Sequence, residues 1–179
     1  MGESIEDRPK DVKDRNDFGH WEMDTVKGKR SSRVSLLVLT ERKTRKEIIM
    51  KLSPHTAESV VSSINKIEER LKEKFKKIFR SITCDNGAEF SYYEELKKSI
   101  FGGDRTHIYY CHPYSSYERG SNENCNRLIR RHIPKGTPIE DRSDEEIQAI
   151  ENWINNYPRK ILNYRSAQEL FDEEIALIG

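Results

Sequence analysis

Three carboxylates in three unlike local settings hold the chemistry this sequence can offer. Asp24 lies in His20-Trp21-Glu22-Met23-Asp24-Thr25, Asp85 in Ile82-Thr83-Cys84-Asp85-Asn86-Gly87, and Glu123 in Arg119-Gly120-Ser121-Asn122-Glu123-Asn124. A strand, a strand end and a helix start can each deliver one acid to a common point. Hard oxygen ligands of this kind suit Mg²⁺ or Mn²⁺, and a pair of such ions supports in-line displacement at phosphorus.

Each acid also has an ordinary reading. Asp is disfavoured within strands, so Asp24 with Glu22 could mark the solvated face of an edge strand. Against that, Trp21 and Met23 indicate a buried opposite face and the next strand is continuously apolar, which predicts a central strand whose charge needs a partner. Asp85-Asn86-Gly87 is common turn chemistry. Its weight comes from its position at the carboxyl end of a strand, where crossover sheets gather ligands. Glu123 suits the first turn of any helix. Its helix, however, has two opposed stripes: Cys125, Leu128, Ile129 and His132 on one side, Glu123, Asn126, Arg127 and Arg130 on the other. An acid, an amide and two guanidinium groups on one face predict phosphate contact, although a solvated face has the same composition. Arg131, Lys135 and the polar loop running from Tyr114 through Arg119 to Asn122 add candidate DNA-backbone contacts.

The elements that must position these residues follow from periodicity. Strands are predicted over 18–27, 34–39 and 47–52, joined by short turns into an antiparallel meander. Thr56 caps a helix carrying Val60, Ile64, Ile67 and Leu71, which is expected to reach about residue 75 or 77. A strand over 78–84, a helix over 90–100 and a strand over 107–111 come next. A helix capped by Ser121 then runs over 122–132 and stops before Pro134. Further helices are expected over 144–156, with Ile147, Ile150, Trp153 and Ile154 inward, and after Ser166. The fold class is therefore α/β: a five-stranded mixed sheet whose first three strands are antiparallel, flanked by helices, with a C-terminal helical extension. Residues 1–17 read as a polar linker or disordered arm, 18–133 as the core and 134–179 as the extension packed on it.

Bulk properties narrow the field. The 179 residues suffice for one core, with 34% apolar and 35% charged residues and a formal net charge of +1. Nucleic-acid binding would thus have to come from a local patch. No apolar run of about 18 residues is present, and the charged N-terminal stretch excludes a secretory signal. Three cysteines, an odd number with no metal-finger spacing, suggest reduced thiols in a cytoplasm. His107, Cys111 and His112 are zinc-ligand types, but in a continuing strand the adjacent Cys111 and His112 point to opposite faces.

Trp21-Glu22-Met23-Asp24, Cys84-Asp85-Asn86-Gly87 with Glu89-Phe90, and the stretch from His112-Pro113-Tyr114-Ser115-Ser116 through Arg119-Gly120-Ser121-Asn122-Glu123-Asn124 resemble the catalytic core of DDE insertion-sequence transposases. The similarity is to the IS-thirty family, within the retroviral-integrase superfamily, and covers about residues 5–171. Ile133-Pro134-Lys135-Gly136-Thr137 and Asn156-Tyr157-Pro158-Arg159-Lys160 extend it. The resemblance implies an RNase H-like fold and an acidic triad of Asp24, Asp85 and Glu123 holding two Mg²⁺ or Mn²⁺ ions. It also implies cleavage at terminal inverted repeats and joining of the freed 3′ ends to target DNA by a homo-oligomer, in a bacterial cytoplasm at the nucleoid. Three positions depart from the family pattern: Tyr117 stands where Trp is expected, His112 where an acid is common, and Arg127 where a small residue is frequent. The family's helix-turn-helix modules are not found in the short stretch before Phe18, so an isolated catalytic fragment is expected. Two other readings compete: another RNase H-like nuclease, and a truncated, non-catalytic DNA-binding or assembly module.

Overall fold

The apolar run Leu36–Leu39 can be buried only in the middle of a sheet, and that is where it lies. The computed structural model describes residues 2–9, 15–112 and 120–179, with the backbone alone for 120–123. Strand β3 (Ser35–Glu41) is paired antiparallel with β2 (His20–Lys27) on one side and β4 (Glu47–Leu52) on the other. Beyond β2, β5 (Ser81–Cys84) and then β6 (His107–Tyr110) add in parallel, and β1 (Glu3–Ser4) pairs parallel with β6. The sheet order is β1-β6-β5-β2-β3-β4. With its antiparallel meander, crossover helices and covered faces, this is an RNase H-like fold.

Period-two alternation sorts the side chains into two cores. Trp21, Met23, Leu37 and Leu39 pack with Val60, Ile64 and Ile67 of α1 (Ala57–Leu71). Trp21 is fully buried, stacks on Phe79 at 4.4 Å and donates its indole N–H to the Ile78 carbonyl at 2.7 Å. On the other face, Val26, Leu36, Val38 and Ile49 meet α4 (Gly120–His132) and α5 (Asp144–Asn156) through Cys125, Ile129, Ile147, Ile150 and Ile154. Trp153, expected inward, is 37% exposed and stacks on Tyr157 instead.

The expected sheet is observed with one correction: it has six strands, not five. The extra strand comes from the segment read as a polar arm. Two residues are too few for an alternation signal. What holds this strand is a backbone ladder and the buried Arg8 guanidinium, which donates to the Thr83 hydroxyl at 3.1 Å. Two helices are shorter than expected. α1 ends where Lys72 takes φ 51°, before a separate turn α2 (Phe75–Ile78), and α3 (Tyr93–Lys97) is preceded by a 3-10 turn at Ala88–Phe90.

The C-terminal segment clasps the sheet from both sides. α6 (Ala167–Ile178) brings Phe171 against Phe18 and Trp21, on the face opposite α5. Ser143 and Ser166 start α5 and α6 with reciprocal capping boxes. α5 also covers the outer edge of β4. The Glu47 and Ile49 backbone N–H groups donate to Asn155 and Glu151 at 2.8 and 2.7 Å, and the Asn155 amide donates back to the Glu47 carbonyl at 2.9 Å. Among the described residues no helix is long and apolar enough to cross a membrane.

Glu47 itself is fully buried, with its carboxylate accepting from Thr40 at 2.7 Å. Burial pushes its pKa from 4.5 up to about 7, against smaller downward pulls from Cys125, Thr40 and Arg159. The folded state therefore keeps a proton that the unfolded chain has released, and stability falls as pH rises from 4.5 to about 7. Glu47→Gln is expected to remove this slope. Between about pH 5 and about pH 8 the parent should lose about 2–3 kcal/mol relative to the variant in urea unfolding. Parallel pH profiles would contradict it.

Candidate active site

The parallel pairing of β2 and β5 aligns Glu22 with Thr83. Continuing that register by two residues sets Asp24, within β2, level with Asp85, which follows the carboxyl end of β5, in the middle of the sheet. This excludes the solvated edge as an account of Asp24. Both acids are partly buried. Asp85 Oδ1 accepts the Gly87 N–H at 2.9 Å, an Asx turn that fixes the carboxylate as the chain leaves β5. Beneath Asp24 on the same face, Glu22 is fully buried and paired with Arg42 at 3.1 Å.

Helix α4 crosses this end of the sheet. Asn126 donates its amide to Asp24 Oδ2 at 3.1 Å, while its buried Oδ1 has no partner among the described residues. Arg130 donates to the Lys27 carbonyl at 2.8 Å and braces the helix against the end of β2. Position 123 lies in α4 one turn before Asn126; its side chain, like that of Asn122, is outside the described residues, as are Tyr114 and Arg119 altogether. The stripe expected to hold DNA therefore divides. Asn126 and Arg130 engage the β2 strand, whereas Arg127 is exposed on the next face and bonds Asn124. Lys135 is exposed just beyond the helix. Among the described residues no three His, Cys, Asp or Glu side chains cluster as a metal site. Of the zinc-ligand types, Cys111 is buried while His112 reaches Glu6 at 3.3 Å.

One acid at this site was not singled out by pattern. A Cβ on Gly87 would lie 2.6 Å from Glu89 Oε2 and 2.9 Å from Asp85 Oδ1, so these two carboxylates flank the same glycine. Glu89 accepts from Thr25 at 2.9 Å and pairs with His55 at 3.3 Å. Burial alone would raise its pKa. Its own backbone N–H, Thr25, His55 and Lys27 outweigh that and hold it below the usual range. The signal that could have found it is Gly87 itself, since a Cβ there would press on both acids.

The acids Asp24 and Asp85 thus sit side by side on neighbouring central strands of an RNase H-like fold. Comparison with known proteins gives the chain's relatives. The chain is 41% identical over 173 residues to the "Probable transposase for insertion-like sequence element IS1161" of Streptococcus salivarius, covering 96% of this chain and 47% of that protein. It is 39% identical to the transposase for insertion sequence element IS4351 of Bacteroides fragilis (96% and 50%), and 32% identical to the transposase InsI for IS30C of Escherichia coli K12 (98% and 44%). The chain is homologous to insertion-sequence transposases along nearly its whole length, and it spans about half the length of the curated relatives it matches. No family model matches it.

Proposed function

We propose that this domain is the catalytic core of a DDE-type DNA transposase, cleaving DNA at element ends and joining 3′-hydroxyl ends to target DNA. The observation that carries the reading is the level placement of Asp24 and Asp85 on adjacent central strands, under a helix whose Asn126 contacts Asp24, in a chain homologous to transposases. The residues present fit divalent metal: oxygen donors on neighbouring central strands, and beside them a buried acceptor on Asn126 with no partner among the described residues. Asp24, Asp85 and, from α4, Glu123 would hold two Mg²⁺ or Mn²⁺ ions, which supply a lowered pKa for the attacking hydroxyl and charge neutralisation at the leaving oxygen.

The protein's own residues do the positioning. The Asn126 amide fixes the rotamer of Asp24, and the Asx turn at Gly87 fixes Asp85. Arg127, Lys135 and the segment holding Tyr114, Arg119 and Asn122 contact the DNA backbone. The active form is a homo-oligomer on paired DNA ends, acting in the bacterial cytoplasm at the nucleoid.

The test is joining of 3′-hydroxyl oligonucleotide ends into plasmid in Mg²⁺ or Mn²⁺. Cutting of RNA–DNA hybrid strands without joining would replace this reading with a nuclease. Absence of Mn²⁺ binding at millimolar concentration by calorimetry would replace it with a non-catalytic module. A finer expectation concerns Gly87→Ala. Its φ of −61° suits alanine, and the atoms its Cβ would meet are flexible carboxylate tips. Stability should stay within about 0.5 kcal/mol, while displacement of Asp85 lowers metal-dependent cleavage about tenfold or more. Undiminished cleavage would show that Asp85 need not be held in this place.

A further inference from the structure

The face of α4 that turns away from Asp24 forms one wall of a groove of about 640 Å³. Its opposite wall is the segment from Tyr157 to Tyr164, and its floor includes Arg45 from the turn between β3 and β4. Among the described residues that line it, five of eleven are cations, namely Arg45, Arg127, Arg131, Arg159 and Lys160, and none is an acid. For a chain whose net charge is +1, this is a strong segregation of charge. Like charges gathered around one cavity repel, and burial is the main cause that depresses the pKa of Arg45, against upward pulls from Glu22 and Glu41. A polyanion relieves that repulsion and releases its own counterions on binding.

The far wall has a second property. Residues 159–165 form a tight hairpin in which Arg159 and Arg165 pair antiparallel. Its tip runs through Asn163 and Tyr164 with φ of 54° and 64°. Left-handed backbone is unfavourable for a bulky residue such as Tyr and marks sites where a side chain is held in a required direction. The strained turn presents Tyr164 at 72% exposure and Ile161 at 66%, beside Tyr157, over whose ring Arg131 sits at 5.7 Å. Cations that track phosphates and an exposed ring at the rim are the two parts of a single-strand binding surface.

We propose that this groove binds a DNA strand carrying at least one unpaired base, with Arg131, Arg159 and Lys160 on its phosphates and Tyr164 stacked on the base. The proposal rests on the transposase reading and deepens it. Because α4 offers one face to Asp24 and the next to the groove, the strand bound here passes over the same helix that roofs the acids. The groove favours DNA that is frayed or distorted next to the point of cleavage.

The experiment measures binding of fluorescent duplexes, plain and with a short single-stranded flap, by anisotropy in EDTA across a salt series. The proteins are the parent, Arg131→Glu/Lys160→Glu, Tyr164→Ala, Tyr164→Gly and Tyr164→Phe, each checked by thermal melting. The parent should prefer the flapped DNA. The double charge reversal should weaken binding at least about tenfold and flatten the salt dependence by about 1.4 in log–log slope, two phosphates' worth. Tyr164→Ala and Tyr164→Gly should lose about tenfold on flapped DNA and less than about twofold on plain duplex, with Phe restoring the parent value. Glycine relieves the backbone at this position, so a loss there reports the ring and not the fold. Parent-like affinity and slope in the charge reversal, or equal losses on both DNAs in the Tyr164 variants, would overturn the proposal while leaving the catalytic reading standing. No DNA binding by the parent would overturn both.

Discussion

Asp24→Asn and Asp85→Asn should each lower metal-dependent strand cleavage by about 10³-fold or more, with the fold unchanged. The size follows from the role: losing a ligand removes several kcal/mol of transition-state stabilisation, and each 1.36 kcal/mol is about tenfold in rate. The fold survives because the polar geometry survives. An amide oxygen at position 24 still accepts from Asn126, and one at position 85 still accepts the Gly87 N–H. Removing one of two level carboxylates also relieves like-charge repulsion in the absence of metal, so stability should hold or rise slightly. Glu123→Gln should give the same loss of cleavage. The measurement is a single-turnover cleavage rate in Mn²⁺ beside a thermal melt. Cleavage within about tenfold of the parent in any of the three would remove that residue from the metal site.

Arg42→Leu should cost about 3–5 kcal/mol. Arg42 and Glu22 form an ion pair at 3.1 Å with side chains 4% and 0% exposed, so neither charge has water as an alternative. Burial lowers the Arg42 pKa to about 10, partly offset by Glu22, and it remains charged at neutral pH. Truncating it takes from the buried Glu22 carboxylate its 3.1 Å ion pair. Replacing both partners, as Glu22→Gln with Arg42→Leu, should recover at least about half of the loss, because the penalty lies in the buried charge that loses this pair. Urea unfolding of the four proteins closes the cycle. A loss below about 1 kcal/mol for Arg42→Leu would mean that water reaches Glu22. Since Glu22 lies two residues before Asp24 on the same face of β2, the single variant should also depress cleavage, and the double variant should partly restore it.

How much of this was legible in the sequence depended on what holds each part. Strands β2 to β4 declare themselves because Trp21, Met23 and the run Leu36–Leu39 carry burial in their residue types. The adjacency of β2 and β5 does not, since parallel neighbours are chosen by crossover packing and no local pattern encodes the choice. β1 was invisible because its two residues are held by backbone and by Arg8. Neighbouring helix positions differ by about 100°, so one broad stripe on α4 could contain both Asn126, which turns to Asp24, and Arg127, which turns to the groove. Glu89 arrives through a 3-10 turn, where no periodicity exists to read. The groove was hidden for a different reason: Arg45, Arg127 and Arg159 are far apart in the chain, and the overall charge balance cancels them.

The two ends of the sheet lead to a constraint on quaternary structure. At one end, α5 occupies the outward amides of β4 with its own Asn155 and Glu151. At the other, β1 offers only two residues of ladder. Among the described residues, neither border presents a long free ladder for main-chain pairing with another chain. Under the proposed function, copies of this domain would recognise each other through helical and loop side chains, or through the nucleic acid they share.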